Sequence, residues 1–451
     1  MSIWKLSNWK KACEYMRSNG LRHTWYAAWE RVLTERGDEY RYQAPLETEL
    51  SEQRKRGADF SVTFSILVPA YETKPEYLRA MITSLLEQSY GRFELLIGDA
   101  GSSDGVAKVV KACRDPRVRY FKLEENRGIA ENTNAVLEQA IGDYVGLLDH
   151  DDVLTPDALF TMAECIEDRR SRSCPPALLY SDEDKGDSSM CLFSEPHWKP
   201  ELNLDLLFSN NYICHFLVME RKLISRLKLR GAYDGAQDYD LVLRAVEQLV
   251  YEEGDRSRIC HIPKVLYHWR CHDQSTSANP ASKSYAYEAG RAALEDLMIR
   301  RGWEGRVCHT LHKGFYRIQY RGGILAQRKE VGAIGGKLLD RKGNITGGVY
   351  DRKGSCPYEG LPGTFSGYMH RAVLHQEAFA LDPRCMRVRK ELIPLFEEMF
   401  EIPYEKREYY AADETTCRKA AAAFGRSLQE RGYLLVWLPE YEWEKEDRAW
   451  V

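Results

Sequence analysis

No apolar stretch in this chain approaches the ~18–20 residues that a bilayer-spanning helix needs. The run ending at Val68 and the segment Val145 to Leu148 both stop far short. The N-terminal residues are polar and charged from Lys5 onward, with no apolar core ahead of a small-residue cleavage site. A secretory signal is therefore not expected, and the location read from the sequence is the cytosol. Paired cysteines are missing too. Twelve cysteines are scattered from Cys13 to Cys417 without one CxxC pair, the usage of reduced, small apolar side chains in an intracellular chain. The group Cys260, His261, His268, Cys271 and His272 matches no paired zinc-ligand spacing. Positive charge is not in excess, since 64 Lys and Arg against 68 Asp and Glu leave a formal net charge of −4. That removes the broad basic surface that sequence-independent nucleic-acid binding requires. A GxGxxG turn is also absent after the first apolar strand, where the chain reads Pro69-Ala70-Tyr71-Glu72, which argues against a dehydrogenase.

What is present is length for two to three domains and a change of pattern at residue 64. Residues 1–60 are rich in Trp, Lys, Arg and Glu, with helix-compatible runs at Trp9 to Met16 and Thr24 to Leu33 and a charged stretch, Glu52 to Arg56, that reads as a linker. Trp4, Trp9, Trp25 and Trp29 among Lys5, Lys10 and Lys11 form an amphipathic face, which can pack on the main domain or rest peripherally on a membrane. Beyond it, short apolar runs alternate with helical periodicity. Strands are expected at Phe64 to Val68 (closed by Pro69), Glu94 to Gly98, Val118 to Leu123 and Tyr144 to Leu148. Between them lie helices, the first opened by a capping box of Thr73 and Glu76 around Pro75, the last spanning Ile129 to Ala140. Such alternation predicts an α/β fold with a mostly parallel sheet, whose ligands sit at the carboxyl ends of the strands.

The chemistry gathers at those ends. Asp149-His150-Asp151-Asp152 follows the fourth strand directly, and several carboxylates so close together call for a cation or hydrogen-bond donors. Oxygen ligands suit Mg²⁺ or Mn²⁺, which would bridge a diphosphate. The plainer reading is a solvated acidic turn ahead of the helix near Pro156.

Read in order, FSILVPAYE, ELLIGDAGSSDG, NRGIAENTNAVLEQA and GDYVGLLDHDD over residues 64–152 resemble the nucleotide-binding half of the family 2 glycosyltransferases of the GT-A fold. The resemblance implies an inverting transfer of sugar from a nucleotide-sugar donor, a UDP- or dTDP-sugar, to a glycan or polyprenyl-linked glycan acceptor in polysaccharide assembly. It assigns donor binding to Pro69, Tyr71, Glu72, Asp99, Asn126, Arg127, Asp149, Asp151 and Arg270, and Mn²⁺ or Mg²⁺ to Asp151, Asp152 and His268. One departure is Asp99-Ala100, where many relatives carry adjacent carboxylates, and this leaves the base open. GAYDGAQDYDLVLR at 231–244 resembles the family's acidic motif, with Gln237 where Glu is common and Asp238 as general base; Asp is also a good N-cap for the helix of Leu241 to Leu243. IPKVLYHWRCHDQSTS at 262–277 contributes His268, Arg270, His272 and Ser275. LLYSDEDK at 178–185 and PHWKPELNLDLLFSNNYICHF at 196–216 place Asp182, Asp184 and Trp198, with Gln237, on the acceptor side. Trp198 can stack on a pyranose or anchor the surface.

The C-terminal third resembles the later half of a second family 2 module, in VGAIGGKLLDRKGNITGGVY at 331–350 and GYLLVWLPEYEW at 432–443. It has no counterpart of the Pro69 loop or the Asp149 cluster, and Asp413-Glu414 stands where a catalytic acid would lie. Such a remnant can position glycan, cover the site or mediate a homodimer. The expected division is 1–60 preface, 61–320 GT-A domain (61–152 nucleotide-binding, 153–320 acceptor half) and 321–451 partial module. The competing function is a non-catalytic glycan-binding scaffold built from decayed modules.

Overall fold

The computed structural model describes residues 40–410 except 272–283, residues 413–444, and scattered positions between 16 and 30. Trp4, Trp9, Lys5, Lys10, Lys11, His272 and Ser275 lie outside the described residues; Trp25 and Trp29 are exposed. The chain divides into two compact units. The first comprises Glu39–Leu202 and Asn211–Leu297, the second Met1–Asp38, Asn203–Asn210 and Met298–Val451. Among the described residues no helix is long and apolar enough to cross a membrane.

The first unit opens with α1 (Glu47–Gly57). The charged stretch expected as a linker is its last turn, because Glu47 and Glu49 at the start and Arg54, Lys55 and Arg56 at the end both complement the helix dipole. Then follow β1 (Phe64–Ala70), α2 (Pro75–Leu86), β2 (Phe93–Asp99), α3 (Gly105–Cys113), β3 (Val118–Lys122), α4 (Ile129–Leu137) and β4 (Tyr144–Leu147). The order β3-β2-β1-β4 is parallel throughout. Every residue of β2 is buried, as a strand covered on both faces requires. Gly98 allows the close packing of α4, since a Cβ there would sit 2.2 Å from Val136 Cγ2.

Two local expectations are corrected. The strand does not stop at Pro69 but runs to Ala70, because β4 pairs only as far as Leu67 and Pro69 pairs with β2 alone, where its missing N–H disturbs no second ladder. The capping box of Thr73 and Glu76 does not form: Lys74 is the N-cap of α2, with no side-chain cap bond.

The sheet continues through elements that return to it: β5 (Val153–Leu154), α5 (Ala158–Ser171), β6 (Leu178–Gly186), β7 (Phe193–His197), β8 (Leu217–Glu220), α6 (Arg221–Leu227), α7 (Gln237–Val246) and β9 (Ile259–Arg270). Its order is β4-β8-β6-β9-β5, with β8 antiparallel to both neighbours, β6 parallel to β9, and β7 paired to β6. A single apolar core under both halves includes Phe64, Leu95, Met162, Phe216 and Tyr267.

In the second unit, β10 (Gly305–His309) and β11 (Tyr316–Tyr320) form a hairpin, and a five-stranded sheet is built on β12 (Val331–Leu339) with β13 (Ile345–Gly347) on one side. A last strand, β14 (Leu434–Glu444), runs parallel to β12 after α8 (Glu414–Glu430). Phe396, Phe424 and Trp437 fill this core. Asp413 is the N-cap of α8, accepting from the Thr415 and Thr416 amides, and Glu414 pairs with Arg384 at 3.1 Å.

Candidate active site at the strand ends

The loops after β1, β2 and β4 lie side by side because those strands are parallel and in register. Glu72, at φ +46, accepts from the amide and hydroxyl of Ser102, at 2.7 and 2.9 Å, which ties the Pro69–Glu72 loop to the turn after β2 and holds its pKa below the usual range. Tyr71 is exposed. Asp99 is fully buried: it accepts from the Gly101 amide and the Tyr120 hydroxyl, each at 2.8 Å, and pairs with Lys122. Asn126 accepts from the Gly128 amide and the Asn132 side chain, and Arg127 pairs with Glu125.

Asp149, Asp151 and Asp152 divide into two kinds. Asp152 is turned inward, accepting from the Arg270 amide and the Tyr267 hydroxyl. Burial, helped by Asp151 and Asp149, raises its pKa well above the ordinary value. Asp149 and Asp151 keep 49% and 21% of their side chains exposed. His268 is held in a structural setting, with Nδ1 bonded to Asp184 and the ring stacked 4.0 Å from Phe193 with Tyr42 edge-on at 4.5 Å. Asp151, Asp152 and His268 are thus not brought to one point, and among the described residues no three His, Cys, Asp or Glu side chains converge as metal ligands. On this geometry Asp152→Ala is expected to lower stability by about 2 kcal/mol, since a buried hydroxyl and amide lose their acceptor. Asp151→Ala should stay within about 0.5 kcal/mol, as is usual for substitutions away from buried networks. Urea denaturation of the two variants compares them.

The other assigned residues fall into place around this group. Asp182 is buried between the Lys199 amide and His261, and Asp184 between Tyr40 and His268. Trp198 is half-exposed, with Tyr40 against its ring. Gln237 accepts from the Gly235 amide at the start of α7. Arg270 is buried; it donates to the Asp151 and Ser188 carbonyls and lies over the Tyr77 ring. Asp238, in the first turn of α7, accepts from Asn211 Nδ2 at 3.0 Å. Its pKa is raised, chiefly by burial, with Asp149 adding and His215 opposing. Asp240 is engaged by Arg230 and Arg244.

The residues that sequence reasoning did not single out are His215 and its supports. His215 Nδ1 lies 2.9 Å from Glu183 Oε2, and its Nε2 lies 3.9 Å from Asp149 Oδ2. Burial disfavours the cation, but Cys214 and Glu183 raise the pKa of His215 well above its ordinary value. Glu183 is buried with His197 at 3.1 Å and Lys199 at 3.7 Å; burial pushes its pKa up, yet Lys199, His215 and His197 together hold it well below the carboxylate range. Three buried polar atoms have no hydrogen-bond partner among the described residues: Arg270 Nη2, Asn211 Oδ1 and His150 Nδ1, which lies 3.7 Å from Asp151. Buried polar groups are nearly always paired, so such orphans mark where a ligand or water completes the set.

Residues 65–228 match the sequence profile of Glycosyl transferase family 2, a span that includes the β1, β2 and β4 loops and His215. Residues 65–228 are thus similar to a family 2 glycosyltransferase domain. The matched residues lie on an α/β sheet that is parallel in its first half and mixed in its second. The y4gI protein of Sinorhizobium fredii is 41% identical over 243 residues, which is 52% of this chain and 25% of that protein. The O-antigen biosynthesis protein RfbC of Myxococcus xanthus is 33% identical over 260 residues, 57% of this chain and 19% of that protein. The chain therefore spans about a quarter or less of the length of these curated relatives. Among solved structures, S. aureus TarS 1–349 in complex with UDP-GlcNAc covers 52% of this chain and 66% of its own, with a TM-score of 0.41 and 19% identity.

Proposed function

We propose that the first unit is an inverting glycosyltransferase that moves a sugar from a UDP- or dTDP-sugar to a hydroxyl of a glycan or polyprenyl-linked glycan in polysaccharide synthesis. The observation that carries this reading is the cluster of Asp149, His215 and Asp238: Asp149 lies 3.9 Å from His215, both act electrostatically on the Asp238 carboxyl, and buried polar atoms of His150, Arg270 and Asn211 lack hydrogen-bond partners among the described residues. The acceptor hydroxyl attacks the anomeric carbon from the face opposite the diphosphate. The new glycosidic C–O bond forms as the bond to the diphosphate oxygen breaks, and the hydroxyl proton passes to Asp238. A raised pKa suits that role, because a base works best when its pKa lies near the working pH. Arg270 Nη2 and the His215 cation meet the charge on the departing nucleoside diphosphate. The half-exposed Asp149 and the partly buried Asp151 carboxylates suit an oxygen-preferring cation. Asp151, with Asp149 beside it, would hold Mn²⁺ or Mg²⁺, which when bound neutralises diphosphate charge. RfbC carries the name of an O-antigen biosynthesis protein, which supports a polysaccharide product.

Nucleotide release from a panel of UDP-, dTDP- and GDP-sugars, with and without Mn²⁺, tests this reading. Absence of release and of binding for every member would overturn it. The second unit, a partial module in this reading, adds no donor site, so titration calorimetry is expected to count one nucleotide per chain. Two would show the partial module to be intact.

A further inference from the structure

The second unit contains a cavity of about 460 Å³, within the ~300–1,000 Å³ of small-molecule sites, and it lies outside the family match, which ends at residue 228. Its wall forms where β14 parts from β12. Gly335 pairs with Trp437 and Lys337 with Glu442, so two steps along β12 are met by five along β14, and the surplus bulges outward. Gly336 is what lets the bulge lie close, because a Cβ there would sit 2.0 Å from the Tyr441 carbonyl oxygen. Bulges re-aim side chains, and this one brings Glu440 to a wall shared with Lys337, Arg317, Gln319, Ser366 and Tyr26.

Lys337 is 2% exposed and donates to the Gly363 carbonyl at 2.6 Å. No carboxylate stands within ion-pair distance of it among the described residues. Burial lowers its pKa to about 8, with Glu442 and Glu440 partly opposing. Glu440 accepts from His375 at 2.6 Å and lies 3.9 Å from Arg317. A buried ammonium with one carbonyl acceptor keeps N–H bonds for another partner, and a buried charge without partners is costly. Donors (Lys337, Arg317, Gln319) and carboxylate acceptors (Glu30, Glu440, Glu442) are intermixed here, and the Ser366 hydroxyl donates to Glu30. That mixture repels a phosphate through the three carboxylates, and it matches a molecule whose every hydroxyl both donates and accepts.

We propose that this cavity is a binding site for a neutral saccharide of one or two rings, held by hydrogen bonds from Lys337 and Arg317 and to Glu440. The assignment stands on the cavity's own chemistry and does not rest on the transferase reading.

Saturation-transfer NMR on the full chain, with lactose, maltose and chitobiose as probes and inorganic phosphate and UDP as controls, tests it. At least one disaccharide is expected to show transfer, with affinity falling tenfold or more in Lys337→Met and Glu440→Gln. The half-exposed Arg317→Gln, expected to fold normally, should weaken binding several-fold and covers the case in which Lys337→Met does not fold. UDP affinity is expected to be unchanged in all three. No transfer from any disaccharide, sugar binding untouched by the variants that fold, or Lys337-dependent binding of phosphate in place of sugar would each overturn the proposal. Loss of UDP binding in the wild type with sugar binding retained would remove the transferase reading and leave this one standing.

Discussion

Asp238→Asn is expected to slow sugar transfer by roughly 10²–10⁴-fold, the usual worth of a positioned general base, while leaving nucleotide affinity as it is. The substitution is nearly isosteric, and an Asn side-chain oxygen can still accept from Asn211 Nδ2, the contact that now fixes the carboxylate. What is lost is the ability to take a proton. The pH profile supplies a second, independent readout. Burial raises the Asp238 pKa above its ordinary 3.8, so the base is ionised only above that raised value. The wild-type rate should therefore climb with pH along an acid limb displaced upward from that of an ordinary aspartate, then level off. In the Asn variant the residual rate should lack this limb. A variant with wild-type turnover, or one that keeps the same limb, would move the base elsewhere. Asp182 and Asp184 are poor substitutes, since each is buried and already bonded to protein groups.

The parallel half of the sheet was legible because strands covered on both faces are predominantly apolar, and β1, β2 and β4 are short, mostly apolar runs. The loops that follow them were legible for the same reason, since parallel strands deliver their ends to one edge. Pro69 misled because its missing N–H matters only where a second strand is paired, and the pairing with β4 has ended by then. The acceptor half was harder. The sequence motif places Asp182 and Asp184 on the acceptor side, but they bond to His261 and His268, and the register of β6 against β9 shifts at Asp182 and Glu183. Glu183 is the member that meets His215, 32 residues away. No local pattern announces that pairing, nor the approach of Asn211 to Asp238. His268 misled for a related reason: a histidine near an acidic motif reads as a ligand, and only the rings of Phe193 and Tyr42 around it show a packed, hydrogen-bonded one.

Glu183→Gln is expected to destabilise the protein by ~3–5 kcal/mol, the cost of breaking a buried ion pair by removing one partner. Glu183 is 10% exposed in its side chain, and the Lys199 it faces is 0% exposed. With a neutral amide in its place, the Lys199 ammonium keeps only the Cys214 and His215 carbonyls, and the His215 imidazolium loses the carboxylate that favours its proton. The pH dependence follows from the two shifts. The folded pKa of Glu183 is depressed, so its contribution is present above the unfolded value near 4.5 and is lost as pH falls through the folded pKa. The folded pKa of His215 is raised, so its contribution is complete below the unfolded value near 6.5 and is lost as pH rises through the folded pKa. The gap between wild type and variant should accordingly be widest between about pH 4.5 and 6.5. Urea denaturation across pH 4 to 8 would measure it, and the His215 ring resonances should show its proton released at lower pH in the variant than in the wild type. A gap below about 1 kcal/mol at pH 5.5, the scale of an exposed pair, would mean that Glu183 does not hold His215 as a cation. The charge facing Asp149 would then have to come from another group.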